Sequence, residues 1–122
     1  MELSNVKITD VLTHGDFILG LGNFLDEFKR SCNKIDMIAE EPKIKNADRF
    51  NLCALAAISH KLAVDNNIPV PEWVFKDIYK MPYPVYEFNT RNKDFQKYLI
   101  DNAPVEFSSK NIFYTSDSIS RA

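Results

Sequence analysis

The chain has 122 residues, of which 45% are hydrophobic and 26% are charged. This length and composition suit one domain with a core that needs no disulfide or metal to fold, and we predict a single helical domain over residues 1–122. The net charge of −2 and the scattering of cations among acidic residues argue against a protein whose main task is to wrap nucleic acid, because such binding needs clustered Lys and Arg.

Hydrophobic periodicity predicts two helices in the first 30 residues. The first covers residues 4–13, and Asp16 is a suitable N-cap for the second, residues 17–30. The inward side chains of the first helix are Val6, Ile8 and Leu12. The apolar face of the second helix consists of Phe17, Ile18, Leu21, Phe24, Leu25 and Phe28. Gly20 and Gly22 predict a close crossing of this helix with another helix. Alternatively, part of the aromatic face is buried in a homodimer.

Two more helices are predicted before residue 67. Asn33 is the expected N-cap of a short helix that ends near Glu40, and the polar residues 40–47 are predicted to form a loop. Asp48 is the expected N-cap of the most apolar helix, which ends at residue 66. Its centre, residues 52–58, is apolar nearly all round, a pattern typical of the buried middle of a helical bundle.

Proline and aromatic residues become frequent after residue 67. Residues 68–71 are expected to be extended, because each proline disfavours helix in the residue before it. Pro71 then suits the first position of a single helical turn. Residues 81–86 and 111–114 are also predicted to be extended.

Short helices are predicted between and after these extended segments. One begins at Asn89 or Thr90 and ends at Asn102, and single turns follow Pro104 and Ser116. We therefore predict an all-α fold, in which a compact helical bundle is wrapped by an irregular C-terminal half rich in proline and aromatic residues.

The sequence contains no recognisable catalytic motif. The sequence contains no Gly-rich phosphate-binding loop and no nucleophile elbow. It also lacks the helix with two histidines that is typical of a zinc protease. A hydrolase would need His14 or His60 as its general base. Instead, we expect His14 to lie at a helix end and His60 to be a structural histidine with a hydrogen bond. Cys32 and Cys53 lack metal-ligand spacing and are expected to be reduced thiols. We predict no catalytic residue, no cofactor and no metal site.

The most distinctive side chains follow the proline-rich segment. Trp and Tyr are over-represented at interface hot spots, and the prolines would hold them as a preformed patch. The residues predicted to bind a partner are Trp73, Tyr79, Tyr83 and Tyr86. The alternative is that Trp73 and Val74 close the end of the helical bundle while the prolines shape the return of the chain.

Six segments resemble an uncharacterised bacterial domain that occurs alone or C-terminal to helix-turn-helix regions. They are Leu25-Asp-Glu-Phe28, Ala39-Glu-Glu-Pro42, Ile68-Pro-Val-Pro-Glu-Trp-Val74, Asn102-Ala-Pro-Val-Glu-Phe107, Asn111-Ile-Phe113 and Asp117-Ser-Ile-Ser-Arg-Ala122. The Ala-rich helix that ends near His60 precedes the third segment and belongs to the same resemblance. Proteins with this domain are described as regulators, or as antitoxins beside nucleotidyltransferase-like toxins. The resemblance therefore implies a neutralising partner of such a toxin and no catalytic residue. Where relatives carry several arginines before the Ile-Phe segment, this chain has Ser108-Ser109-Lys110.

The expected function is thus that of a protein–protein interaction module whose partner protein is encoded nearby. One alternative is a small-molecule-binding or enzymatic domain with a pocket between the bundle and the C-terminal half, and another is an accessory transcriptional regulator. The charge balance disfavours nucleic-acid binding by this chain alone. The sequence shows no signal peptide and no apolar window of about 18 residues, so we expect a cytoplasmic location and no membrane contact.

Overall fold

In the computed structural model, which describes residues 3–13, 16–42 and 48–115, helices make up most of the chain. The α-helices of this part are α1 (Asp10–Thr13), α2 (Phe17–Arg30), α3 (Lys34–Ala39), α4 (Arg49–Asp65), α5 (Lys93–Asn102) and α6 (Val105–Ser108). Short 3₁₀ turns occupy Glu72–Phe75, Asp77–Tyr79 and Glu87–Asn89. The prediction of an all-α fold is confirmed. Within the described ranges, no helix combines the length and the apolar character needed to cross a membrane.

Helix α4 lies at the centre of the core, as its sequence predicts. The Asp48 carboxylate caps the helix by accepting a hydrogen bond from the Asn51 N–H at 3.2 Å. Every residue from position 53 to 59 is buried, so the helix is covered on all sides. Leu55 and Ala56 belong to one hydrophobic cluster, whereas Cys53, Ala57 and Ile58 belong to a second. The first cluster includes residues of α1–α3, and the second includes Met81, Phe107 and Ile112.

Helix α2 has the predicted bounds and the predicted cap. Asp16 accepts a hydrogen bond from the Leu19 N–H at 3.1 Å. Phe24 and Phe28 are buried with ring centroids 5.9 Å apart, and both predicted glycines are buried as well. Ile18, in contrast, is 74% exposed, because it lies roughly 120° around the helix from Phe24. The two phenylalanines are therefore core residues and are not available to the homodimer contact considered for this face.

Residues 4–9 do not form the predicted helix, which begins only at Asp10. Instead, this segment is hydrogen-bonded to the region around α3. The Ser4 N–H donates to Asn33 Oδ1 and the Asn33 side-chain amide donates to the Ser4 carbonyl, both at 2.8 Å. The Ile8 N–H donates to the Met37 carbonyl at 2.8 Å. Asn33 therefore occupies the predicted N-cap position of α3, but its side chain makes no capping hydrogen bond to that helix.

The second half contains a parallel pair of two-residue strands, β1 (Val85–Tyr86) and β2 (Ile112–Phe113). Val85 is paired with Ile112 and Tyr86 with Phe113, and the latter two rings stack at 5.4 Å. Both segments are extended, as predicted, but their pairing was not predicted. The residues near each strand do not indicate this pairing. The two strands are far apart in sequence, and their register depends on packing against other parts of the fold.

Helix α5 begins later than predicted. Asn92 caps it by accepting a hydrogen bond from the Phe95 N–H at 3.1 Å. Asn89 and Thr90, one of which was predicted to begin this helix, lie outside it because residues 90–92 are not helical and α5 begins only at Lys93. Pro104 precedes α6, as predicted, and the side chain of Phe107 in that helix is buried.

The turn after α6 connects two distant segments through a buried lysine. The Lys110 Nζ donates a hydrogen bond to the Val74 carbonyl, and the Lys110 carbonyl accepts one from the Met81 N–H at 3.0 Å. The Asn111 side-chain amide donates to the Met81 carbonyl at 2.8 Å. Burial lowers the pKa of Lys110, because its charged form loses hydration in the core.

The predicted helix-end role of His14, residues 43–47 of the predicted loop and the turn after Ser116 lie outside the described residues. The same is true of the last segment that carries the family resemblance, residues 117–122.

Replacement of Asp48 by alanine should lower the free energy of unfolding by about 1 kcal/mol, because the first turn of α4 loses its side-chain cap. Urea unfolding followed by circular dichroism measures this change. The matched control is Asp65→Ala at the other end of α4, where the carboxylate pairs with Lys61 near the surface and should contribute little. Equal losses in the two variants would contradict the capping role.

Candidate functional site

Two of the four residues predicted to bind a partner are part of the core. Trp73 is 6% exposed, and its indole N–H donates to the Ile38 carbonyl at 3.0 Å. Tyr79 is 1% exposed and packs edge-on against the Trp73 ring at 5.3 Å. Val74 is also buried. This placement agrees with the alternative interpretation, in which Trp73 and Val74 close one end of the helical core.

The other two residues lie near β1. Tyr83 is 61% exposed, whereas Tyr86 is half-buried and stacked on Phe113. The four predicted residues therefore have three different environments, and only Tyr83 offers most of its side chain to a partner.

An open groove of about 500 Å³ lies beside Trp73, between α3 and the proline-rich segment, and is called the Trp73 groove below. Its apolar lining consists of Ile35, Ala39, Pro69, Val70, Pro71 and Trp73. Its acidic lining consists of Glu40, Glu41 and Glu72. The groove therefore combines an apolar surface with clustered carboxylates.

Local sequence explains the shape of the Trp73 groove. Ile35 and Ala39 are four residues apart and share the outer side of α3, while Met37 and Ile38 are buried on its inner side. The opposite wall is extended at Pro71, with φ −63° and ψ 136°. Because proline has no N–H and a fixed φ, this wall presents rigid apolar rings rather than hydrogen-bond donors.

The three carboxylates of the Trp73 groove differ in their surroundings. Glu41 accepts a hydrogen bond from the Tyr79 hydroxyl at 2.6 Å and forms an ion pair with Lys76 at 2.7 Å. Burial, and then this contact with Glu41, raise the pKa of Tyr79, so the phenol stays protonated. Glu40 and Glu72 are exposed, and neither has an ion-pair partner among the described residues. These two carboxylates can therefore attract a cation from solution.

His60 does not line the Trp73 groove. It is half-buried on α4, and its ring packs edge-on against Phe75 at 5.1 Å. Burial lowers its pKa, while the nearby Glu106 has an opposing effect. Within the described ranges, no group of three His, Cys, Asp or Glu side chains is arranged to hold a metal ion.

The two thiols also have contrasting environments. Cys53 is buried on α4, its thiol contacts the Ile78 carbonyl at 3.8 Å, and burial raises its pKa. Cys32 is exposed, and both cysteines are free. Both are therefore free thiols, as expected from the sequence.

Phe88 is an exposed aromatic residue that sequence analysis did not select. Its side chain is 80% exposed and its backbone is left-handed, with φ 61° and ψ 14°. This conformation costs a residue other than glycine about 1–2 kcal/mol. The available sequence signal is that Phe88 is a lone large apolar residue in the polar stretch from Glu87 to Asn92.

Hydrogen bonds on both sides of Phe88 hold this strained position. The Glu87 carboxylate accepts hydrogen bonds from the Thr115 N–H at 3.1 Å and from its hydroxyl at 3.3 Å. The Gln96 side-chain amide donates to the Thr90 carbonyl at 2.9 Å. Residues 87–92, called the Phe88 loop below, therefore present the ring from a fixed backbone.

The lowered pKa of His60 predicts a pH-dependent stability. As the pH falls below about 6.5, the unfolded chain binds a proton at His60 before the folded chain does, so the wild type loses stability. The His60→Gln variant lacks this proton uptake and should lose less stability between pH 7.5 and pH 5, as measured by urea unfolding at each pH. Parallel losses in both proteins would contradict the effect of His60.

Comparison of the chain with protein-family models, with curated proteins and with solved structures gives no match. The family resemblance noted above consequently rests on the quoted segments alone. The structural features that bear on function are the Trp73 groove, with its exposed carboxylates, and the Phe88 loop.

Proposed function

We propose that the chain is a protein–protein interaction module, which binds a basic and apolar segment of a partner protein in the Trp73 groove. The observation that carries this proposal is the apolar lining of the groove beside two exposed carboxylates, Glu40 and Glu72. Apolar contacts provide affinity, and complementary charges at the margin favour the correct partner and speed association.

The rigidity of the groove supports this proposal. Trp73 is fixed by its hydrogen bond to Ile38 and by its contact with Tyr79. Glu41 is fixed by Tyr79 and Lys76. A surface that is already ordered in the free protein loses little conformational entropy on binding, so more of the contact energy remains as affinity.

The negative charge of the Trp73 groove indicates the kind of partner that it binds. Glu40 and Glu72 would repel a phosphate backbone and attract Lys or Arg, so a basic protein segment suits the groove better than nucleic acid. The chain as a whole is also acidic, with a net charge of −2. Because exposed charges contribute, the complex should weaken as the salt concentration rises.

For the identity of the partner, we propose a nucleotidyltransferase-like toxin that is encoded nearby and that this chain neutralises in the cytoplasm. This more specific proposal rests on the resemblance of the quoted segments to a domain of antitoxin-like proteins. We also propose that the C-terminal half wraps the helical bundle, which would bring the proline-rich segment against α3 to form the groove.

Affinity capture from extract of the native host, at moderate salt, tests the proposal. Wild-type bait should retain a stoichiometric protein whose purified form rebinds it, and the charge-reversal variant E40K/E72K should lose at least about tenfold in affinity, since two attractions become repulsions. The matched control is D65K/D101K, which makes the same charge change in the last turns of α4 and α5, where cations suit the helix dipole.

Retention of the same partner by E40K/E72K would show that the Trp73 groove is not the binding site. Equal loss by E40K/E72K and D65K/D101K would show that only net charge matters. Circular dichroism of each bait establishes that all three proteins are folded.

The toxin proposal has a separate test in growing cells. Co-expression of the wild-type chain should restore the growth of cells that produce the neighbouring nucleotidyltransferase-like protein, because the complex blocks the toxin. D65K/D101K should also restore growth, whereas E40K/E72K should fail to do so at equal protein level. Normal growth of cells that produce the neighbouring protein alone would refute the antitoxin role while leaving the groove proposal intact.

A further inference from the structure

The Phe88 loop has the features of a ligand for a groove of this kind. Its ring is 80% exposed, and its left-handed backbone is held by hydrogen bonds from Thr115 and Gln96 on either side. The fold itself makes little use of this ring. A strained, ordered and exposed aromatic residue is typical of a contact site rather than of a core position.

Two exposed cations follow the ring, one within the Phe88 loop and one at the start of α5. Arg91 and Lys93 follow Phe88 by three and five residues, and both are exposed. Among the described residues, neither forms an ion pair. The chain therefore displays an exposed aromatic ring followed in sequence by two exposed cations and, formed by other residues, an apolar groove with two exposed anions.

We propose that a second copy of this chain inserts Phe88 into the Trp73 groove, with Arg91 and Lys93 opposite Glu40 and Glu72. The groove is that of the proposed function, so this inference deepens that proposal and rests on it. A volume of about 500 Å³ is ample for one phenylalanine side chain. The charges on the two surfaces are complementary, which favours this occupant over an uncharged apolar segment.

The geometry of such a contact is head to tail. The donor surface (the Phe88 loop) and the acceptor surface (the Trp73 groove) are different parts of the chain, so after pairing one copy retains a free acceptor and the other retains a free donor. Further copies add to the assembly until its two ends meet in a closed oligomer. Because the second copy fills the groove, self-association competes with the partner protein, and a high concentration of free chain would reduce partner binding.

Sedimentation velocity from low micromolar to near-millimolar concentration tests this inference. The mass-average size of the wild type should rise with concentration, whereas Phe88→Asn and E40K/E72K should each remain monomeric. Asparagine tolerates a left-handed backbone better than phenylalanine, so the first variant removes the ring without disturbing the loop. The matched control Tyr83→Asn removes another exposed aromatic side chain near β1 and should associate as the wild type does.

Mixing gives the decisive observation. An equimolar mixture of Phe88→Asn and E40K/E72K should form a two-chain species that does not grow further, because one variant supplies an intact groove and the other an intact loop. A wild type that is monomeric at every concentration, association that persists in Phe88→Asn, or a mixture that stays monomeric would each overturn the inference. Persistent association in both variants would point to another surface, such as the exposed start of α2.

The failure of this inference is distinguishable from failure of the proposed function. Phe88→Asn retains the whole groove, so it should capture the partner protein at least as well as the wild type does. Partner capture by a chain that never self-associates would leave the proposed function standing and remove only the second-copy contact.

Discussion

The requirement to enclose α4 on every side determines most of this structure. A helix that is apolar all round has no face to leave in water, so chain segments before and after it must both contribute to its cover. The small residues Ala56 and Ala57 let neighbouring elements approach the helix axis closely. One side of the core is completed by residues of α1–α3, and the other by Met81, Phe107 and Ile112. The two halves of the sequence thus meet on a shared central helix.

Segment 73–79 connects this core to the surface that we propose for binding. Trp73 reaches across to the Ile38 carbonyl, and Tyr79 reaches to Glu41. The buried Lys110 also holds this segment by donating a hydrogen bond to the Val74 carbonyl. The groove therefore shares Trp73 with the core, and mutations that loosen the core here would also deform the groove.

Sequence patterns were sufficient where the determining interactions are local. The capping aspartates at positions 16 and 48, the length of α2 and α4, and the burial of residues 53–58 of the predicted centre 52–58 all follow from periodicity and side-chain chemistry within one helix. They were insufficient where a distant segment competes with the local preference. Asn33 bonds to Ser4 instead of capping α3, and β1 pairs with a strand that is more than 20 residues away in sequence.

The candidate site shows the same division. The aromatic composition of residues 73–86 indicated a partner-binding surface in this region. Composition, however, does not distinguish a buried Trp73 from an exposed Tyr83. That difference depends on which side of the chain faces α3 and α4. The carboxylates at positions 40 and 72 are 32 residues apart, so only the tertiary structure places them on one groove. Phe88 was missed because exposure of a lone aromatic residue has no periodic signature.

The contrast between the two cysteines gives the chain an intrinsic pair of chemical probes. A thiol reagent reaches Cys32 in the native protein, whereas Cys53 becomes reactive only when α4 separates from the turn that contains Ile78. The rate at which a second label appears therefore reports opening of the central core, and the first label is an internal standard for reagent and protein concentration. Native-state dynamics of this fold can thus be followed by intact mass alone, without an introduced fluorophore or isotope.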